Sequence, residues 1–302
     1  MHKRLFCIFL INIFIGNAVS VHAQNYVDLF SIGSAYSPDN SLKNSENKIN
    51  VGESAVNLKF PVLLKNKDVL FFGFNASSLT FNNHYMTSDD EPFYSAALQI
   101  GYTKHWNDNW STMLVVIPKI SSDMKDVTSK DYQTGGLLIF TYTKKENLKY
   151  KFGLYYNQEC FGPLFVPILG INWQPTYKIS AFGNLPINFT LDYKIGKRFS
   201  TGIYFQSLID SYRLSEKYNS VYLQKNSQDV SLFFNTYFAK NIVLTIKGGH
   251  SIGSSYLLYN EGDKLKAGIL SFQIGNKRTP LNVNLDDGFI IEMKLSYRIF
   301  TK

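Results

Sequence analysis

Phe289-Ile290-Ile291-Glu292-Met293-Lys294-Leu295-Ser296-Tyr297-Arg298-Ile299-Phe300 is the stretch that decides the fold. Phe289, Ile291, Met293, Leu295, Tyr297 and Ile299 alternate with Ile290, Glu292, Lys294, Ser296, Arg298 and Phe300. One set is wholly apolar; the other carries three charges and a serine. Successive side chains of a strand point to opposite faces, so the stretch reads as a strand with one oily and one wet face.

The same period recurs upstream. Ile187, Phe189, Leu191, Tyr193 and Ile195 enclose Asn188, Thr190, Asp192 and Lys194; Tyr150, Phe152, Leu154 and Tyr156 alternate with Lys149, Lys151, Gly153 and Tyr155. Val56, Leu58, Phe60 and Val62 stand opposite Asn57, Lys59 and Pro61. β-branched and aromatic residues dominate these segments, and the period of two excludes helix. Fifteen candidate strands follow: 26–36, 52–62, 69–81, 93–105, 110–118, 132–143, 149–159, 165–174, 177–184, 187–195, 198–210, 228–238, 241–253, 265–275 and 289–300. Strands of about 9–11 residues suffice to cross a bilayer at a tilt.

The connections alternate. Short turns hold 65–68, 106–109, 144–147, 196–197 and 240–241; longer polar stretches hold 37–50, 82–92, 119–131 and 214–227. Outer-membrane barrels sort their loops in this way, short inside and long outside. The expected fold is therefore all-β, an antiparallel up-and-down transmembrane β-barrel. Single-chain bacterial barrels have an even number of strands, so at least one candidate does not span. The segment 265–275 is the first suspect, an outer excursion within 254–288, and the pair around Asn184-Leu185-Pro186 is the second. The expectation is fourteen strands, with twelve as the alternative.

The N-terminus sets the compartment. His2, Lys3 and Arg4 precede an uncharged apolar run, Leu5 to Ile15, and Gly16 to Ala23 turns small and polar. This is the plan of a secretory signal peptide over 1–23, cleaved before Gln24, with an apolar run too short to span. Residues 24–302 are expected as one outer-membrane barrel domain. Loss of Lys3 and Arg4 lowers the formal charge from +8 to +6. The remaining positive charge is scattered, without a nucleic-acid reader motif, so nucleic acid is not an expected partner. Aromatic residues make up 16% of the chain, while mean hydropathy is −0.12, a balance that suits aromatic girdles around a polar lumen. Cleavage leaves Cys160 alone, which excludes an internal disulfide, and His84, His105 and His250 lack zinc-ligand spacing. No metal or cofactor is expected.

The run Tyr155-Tyr156-Asn157-Gln158-Glu159-Cys160-Phe161-Gly162-Pro163-Leu164-Phe165-Val166-Pro167-Ile168-Leu169-Gly170-Ile171-Asn172-Trp173, with the closing Tyr297-Arg298-Ile299-Phe300, resembles uncharacterised outer-membrane β-barrel families of Gram-negative bacteria, catalogued as domains of unknown function. The resemblance implies residence in the cell outer membrane. It implies no activity. Barrels of this kind commonly end in an aromatic residue read by the assembly machinery; here Phe300 is followed by Thr301-Lys302 and falls on the wet face, leaving Tyr297 or Ile299 as the equivalent.

Three places invite chemistry. Glu159-Cys160-Phe161-Gly162-Pro163 reads as a hairpin turn with a solvated acid, since Gly and Pro suffice to make the turn; the alternative makes Glu159 a lumen carboxylate. His250 and Ser251 suggest acyl transfer, but adjacent residues on a strand point to opposite faces. Ser254 shares the face of His250 at about 13 Å, beyond hydrogen-bond reach. Asp89-Asp90-Glu91 with His84 reads as a solvated loop rather than a metal site. No catalytic residue is assigned.

Strand phase places Lys59, Lys151, Glu159, Asp192, Lys194, Lys247, Glu292, Lys294 and Arg298 on the wet face as pore-lining candidates. Charges enclosed in this way stay wet or pair. The expected function is a passive channel or transporter for small solutes. A structural or surface-interaction barrel without transport is the alternative, and a lipid-modifying barrel enzyme comes last. Expected partners are outer-membrane lipid and lipopolysaccharide, the barrel-assembly machinery and a small solute.

Overall fold

The computed structural model describes residues 26–43, 46–219, 221–270 and 272–300. The signal-peptide reading of 1–23 lies outside them. Among the described residues, seventeen strands share one sheet. β1 (Tyr26–Ser41), β2 (Lys48–Leu63), β3 (Val69–Phe81), β4 (Phe93–His105), β5 (Trp110–Ser122) and β6 (Tyr132–Lys145) form the first part. β7 (Leu148–Glu159), β8 (Gly162–Trp173), β9 (Ile179–Leu185), β10 (Asn188–Lys194), β11 (Phe199–Arg213), β12 (Val221–Tyr237) and β13 (Ile242–Ser251) continue it. β14 (Ser255–Asn260), β15 (Ala267–Ile269), β16 (Phe272–Ile274) and β17 (Phe289–Phe300) end it.

Each of β1 to β12 pairs antiparallel with the next. β17 then closes the ring between β13 and β1, giving a closed barrel of 14 strands. β14, β15 and β16 stand outside the ring, in the excursion between β13 and β17. The segment 265–275, the first suspect once parity excluded at least one candidate, is therefore no spanning strand. The suspected pair at Asn184-Leu185-Pro186 does belong to the wall, although β9 and β10 have only 7 residues each.

Two expectations about loops need correction. Parts of 37–50, 119–131 and 214–227 are strand: β1 and β2 remain paired to Ser41 and Lys48, and β11 and β12 to Arg213 and Tyr222. Above the apolar belt both faces of these strands meet protein or water, so the period-two contrast disappears while backbone pairing continues. The sorting of loops is also incomplete, because β7–β8 and β9–β10 turn tightly at the long-loop end. At the first of these turns Gly162 has φ +119°, and a Cβ there would stand 2.8 Å from Leu265 O, so only glycine fits without strain.

Outside the ring the period of two becomes a belt. Leu98, Ile100, Leu114, Val116, Leu169 and Leu232 are exposed, and Trp106, Trp110, Trp173 and Tyr177 are exposed near the short turns. Tyr94 to Tyr102 of β4 spans about 27 Å of strand, or about 21 Å of height at a tilt of about 40°, close to the ~25 Å apolar band of such barrels. Apolar side chains left in this quantity on a folded surface mark a contact with lipid or with protein.

Candidate functional site

The site is built on the inward faces. Toward the short turns the wall of β1, β2 and β3 carries a polar ladder. Asn75 Nδ2 donates to Asn57 Oδ1 at 2.6 Å, and Asn57 Nδ2 to Ser31 Oγ at 3.4 Å. Gln99, Thr141, Lys149 and Lys151 are only half-buried on the same inner surface, and Lys59 is exposed. Across the interior the Tyr26 ring meets Phe182 of β9 edge-on at 5.7 Å. The wet space therefore follows the β2–β7 wall.

Most interior charges pair. Arg298 Nε donates to Asp28 Oδ1 at 2.7 Å and its NH2 to Oδ2 at 3.1 Å, while Lys294 Nζ stands 3.8 Å from Asp28. Lys247 Nζ is 2.9 Å from Glu292 Oε2 and 3.8 Å from the centre of the Tyr204 ring. Asp192 accepts from Ser200 Oγ at 2.8 Å. Glu159 is buried, not solvated as the turn reading supposed: Lys119 Nζ lies 3.3 Å away, Ser211 Oγ donates at 2.6 Å, and Asn157 Nδ2 also donates. Lys119 also reaches Asp210 at 3.2 Å.

Lys59, Lys151 and Lys194 make no ion pair among the described residues. Lys149, absent from the expected set, joins them, two positions from Lys151 on the inner face of β7. Gly170 and Asn172 of β8 stand opposite Lys151 and Lys149. The Oδ1 atoms of Asn172 and Asn184 are buried there without a hydrogen-bond partner.

Asp28, Glu53, Lys119, Asp210 and Lys225 escaped the sequence reading. Asp28 sits at a bulge, where the β1–β17 register shifts between Asp28 and Phe30, and a bulge breaks the phase. Lys119 and Lys225 fell in stretches read as loop. Glu53 was accessible, since it shares the phase of Asn57 and Lys59.

The long-loop end is narrowed. The tips of β11 and β12 leave the wall and cross the lumen: Arg213 lies beside Ser122 of β5, and Asp123 N donates to Arg213 O at 3.1 Å. Tyr212, Leu214, Val221 and Leu223 of these tips pack on Ile49, Leu79, Phe81 and Phe93 of β2–β4 as a buried apolar plug. Lys225 Nζ, 2.5 Å from Glu53, pins its lower edge. In the loops above, the backbone N–H of Glu216 and the Arg213 guanidinium, 3.0 Å away, hold the Asp126 carboxyl below the usual carboxylate range. The Lys217 ammonium does the same for Asp89.

The other suspected sites are taken apart by their partners. His250 Nδ1 faces the Ser251 carbonyl at 2.6 Å, while Ser251 Oγ donates to Asp229 Oδ1 at 2.7 Å. Imidazole and hydroxyl point to opposite faces, as alternation demands. Asp89 pairs with Lys217, Asp90 accepts from His84 N at 2.6 Å, and Glu91 pairs with Lys125 at 2.8 Å, so the three acids diverge.

A family model described as "Domain of unknown function (DUF6268)" matches residues 19–265, and the chain belongs to that family. No curated protein matches significantly. Among solved structures, an outer membrane channel from Pseudomonas putida F1 aligns over 90% of this chain and 96% of its own, at 9% identity and TM-score 0.47. The NanC porin aligns over 90% and 100%, at 10% identity and TM-score 0.38. The TodX monoaromatic hydrocarbon channel, as a deletion mutant, aligns over 90% and 90%, at 9% identity and TM-score 0.39.

Proposed function

We propose that this member of the family is a passive outer-membrane channel for small polar solutes, with a preference for anions set by Lys149 and Lys151. One observation carries the reading. Lys247, Lys119 and Lys225 each pair with a carboxylate and Arg298 and Lys294 share Asp28, while Lys149 and Lys151 follow each other on a half-wet wall with no acid in ion-pair reach. A paired charge presents little field to a passing ion; two unpaired ammonium groups in succession on one wall attract anions and repel cations. Lys59 and Lys194 add to the same sign.

The belt of exposed apolar side chains supports residence in the outer membrane, in contact with lipid and lipopolysaccharide. Export through a cleaved signal peptide and insertion by the barrel-assembly machinery complete the reading. The β11–β12 plug narrows the outer mouth. Planar-bilayer recording across a potassium chloride gradient tests the proposal. Wild type gives conductance steps with a chloride-selective reversal potential, and Lys149→Gln with Lys151→Gln moves that potential toward zero. Unchanged selectivity in the double variant contradicts the assignment. A second reading, a structural barrel without transport, is favoured by the apolar plug and holds if neither wild type nor a plug-loosened variant conducts.

A further inference from the structure

Four polar side chains share the inner face of β7, β8 and β9. The ladders are continuous there. Lys149 stands opposite Asn172 and Asn172 opposite Phe182; Lys151 stands opposite Gly170 and Gly170 opposite Asn184. Tyr150, Phe152, Leu169, Trp173 and Leu185, which alternate with them, are exposed on the outside, so Lys149, Lys151, Asn172 and Asn184 turn to the lumen. Phe182, on the Asn172 rung, fixes the phase by meeting the Tyr26 ring across the interior.

Gly170 brings two of the four together. A Cβ there would stand 2.6 Å from Asn184 Oδ1 and 3.0 Å from Lys151 Cβ. The Asn184 carboxamide therefore reaches over bare backbone toward the Lys151 stem. By strand spacing the four groups cover a patch about 7 Å along the strands and about 10 Å across them, the footprint of one sugar ring and wider than a halide ion.

None of the four has a partner among the described residues. Lys149 and Lys151 lack an acid in ion-pair reach, and the Oδ1 atoms of Asn172 and Asn184 are buried without a hydrogen bond; neither carboxamide donates one either. Other amides of the inner wall are engaged: Asn75 donates to Asn57, Asn157 to Glu159 and Asn235 to Ser200. Leaving a buried carbonyl oxygen unbonded is costly, and native interiors rarely do so. Here two such oxygens lie on adjoining strands, each beside an unpaired lysine.

A ligand that satisfies this set needs two kinds of group. The lysines select an anionic group. Each carboxamide offers a carbonyl oxygen and an NH2 side by side, so it is matched by neutral groups that both donate and accept; the neighbouring lysines repel a cationic donor. Hydroxyls on adjacent carbons meet that need. We propose, resting on the anion-channel reading of Lys149 and Lys151, that this patch binds a sugar acid. Its carboxylate lies between the two ammonium groups. Its hydroxyls bond the Asn172 and Asn184 carboxamides, which turn about their Cβ–Cγ bonds to bring the buried oxygens to it. The solutes of the channel are thereby hydroxylated carboxylates and not anions at large.

The test is calorimetric titration of the intact barrel in neutral detergent with glucuronate. Saturable binding is expected, with hexanoate, which lacks the hydroxyls, and glucose, which lacks the charge, each about tenfold weaker or more. Asn172→Leu and Asn184→Leu each bring glucuronate toward the level of hexanoate, and Lys149→Gln with Lys151→Gln removes binding. Heat-modifiable migration verifies that each variant is folded, and the comparison of the three ligands on wild type needs no variant. Heat no greater than in empty micelles, hexanoate or glucose binding as tightly as glucuronate, or unchanged glucuronate binding in a folded Asn172→Leu or Asn184→Leu barrel each overturns the proposal. Chloride-selective conductance without glucuronate binding removes the sugar-acid site and leaves the channel reading; glucuronate binding without conductance removes the channel and keeps the site.

Discussion

Glu159 and Lys119 show what an interior charge does in this protein. Both are buried and hydrogen-bonded, and Lys119 is held between Glu159 and Asp210 whereas Glu159 has Lys119 as its one cation within ion-pair distance among the described residues. Removing one partner of such a pair costs more than the pair contributes, because a lone buried charge remains. Lys119→Met is expected to lower stability by about 3–5 kcal/mol, because Glu159 then has no cation beside it, and Glu159→Gln added to it to restore most of the loss; urea titration followed by heat-modifiable migration measures both. The loop aspartates behave differently with pH. Asp126 and Asp89 have pKa values lowered by their partners. Their contribution is therefore fully present above the ordinary aspartate value of about 4 and is lost as pH falls below it. Hydrogen exchange in 82–92 and 123–131 should be unchanged from pH 7 to pH 5, once corrected for intrinsic rates, and faster below pH 4. Loosening that begins near pH 6 would contradict this assignment.

The β11–β12 pair is the element that departs most from a simple barrel. Its lower part is wall, with Phe199, Ile203, Leu232 and Phe234 exposed on the outside. Its upper part crosses the lumen and buries Tyr212, Leu214 and Leu223. The apolar alternation announced the lower part. The upper part was read as the loop 214–227, because Gln224, Lys225, Asn226 and Ser227 have no oily face to display; their partners come from distant strands and from the excursion that carries β14. A plug of this kind is held by apolar burial, about 25 cal/mol per Å² removed from water. Leu223→Ser is accordingly expected to raise single-channel conductance several-fold without loss of the folded barrel. Unaltered conductance would show that the plug is not the barrier.

For the whole molecule, the alternation along β17 and its relatives carried the architecture, down to the ring of 14 and the excursion that does not span. That much is legible because lipid on one side and water or charge on the other impose a period of two on every spanning strand. The site was legible only in part. Strand phase placed Arg298, Lys294, Lys247 and Glu292 on one face, yet it could not foresee that Asp28, beyond a bulge, gathers two of them. Nor could it separate the paired lysines from Lys149 and Lys151, since pairing depends on register across strands far apart in sequence. The measurement that tests the account most directly is nitroxide scanning of residues 289–298 in lipid vesicles, with collision rates for oxygen and for a water-soluble nickel complex. Oxygen access should peak at Phe289, Ile291, Met293, Leu295 and Tyr297, with nickel access, where any is found, confined to the alternate positions. A profile without this two-residue period, or nickel access peaking at the apolar positions, would contradict a barrel whose oily faces meet lipid.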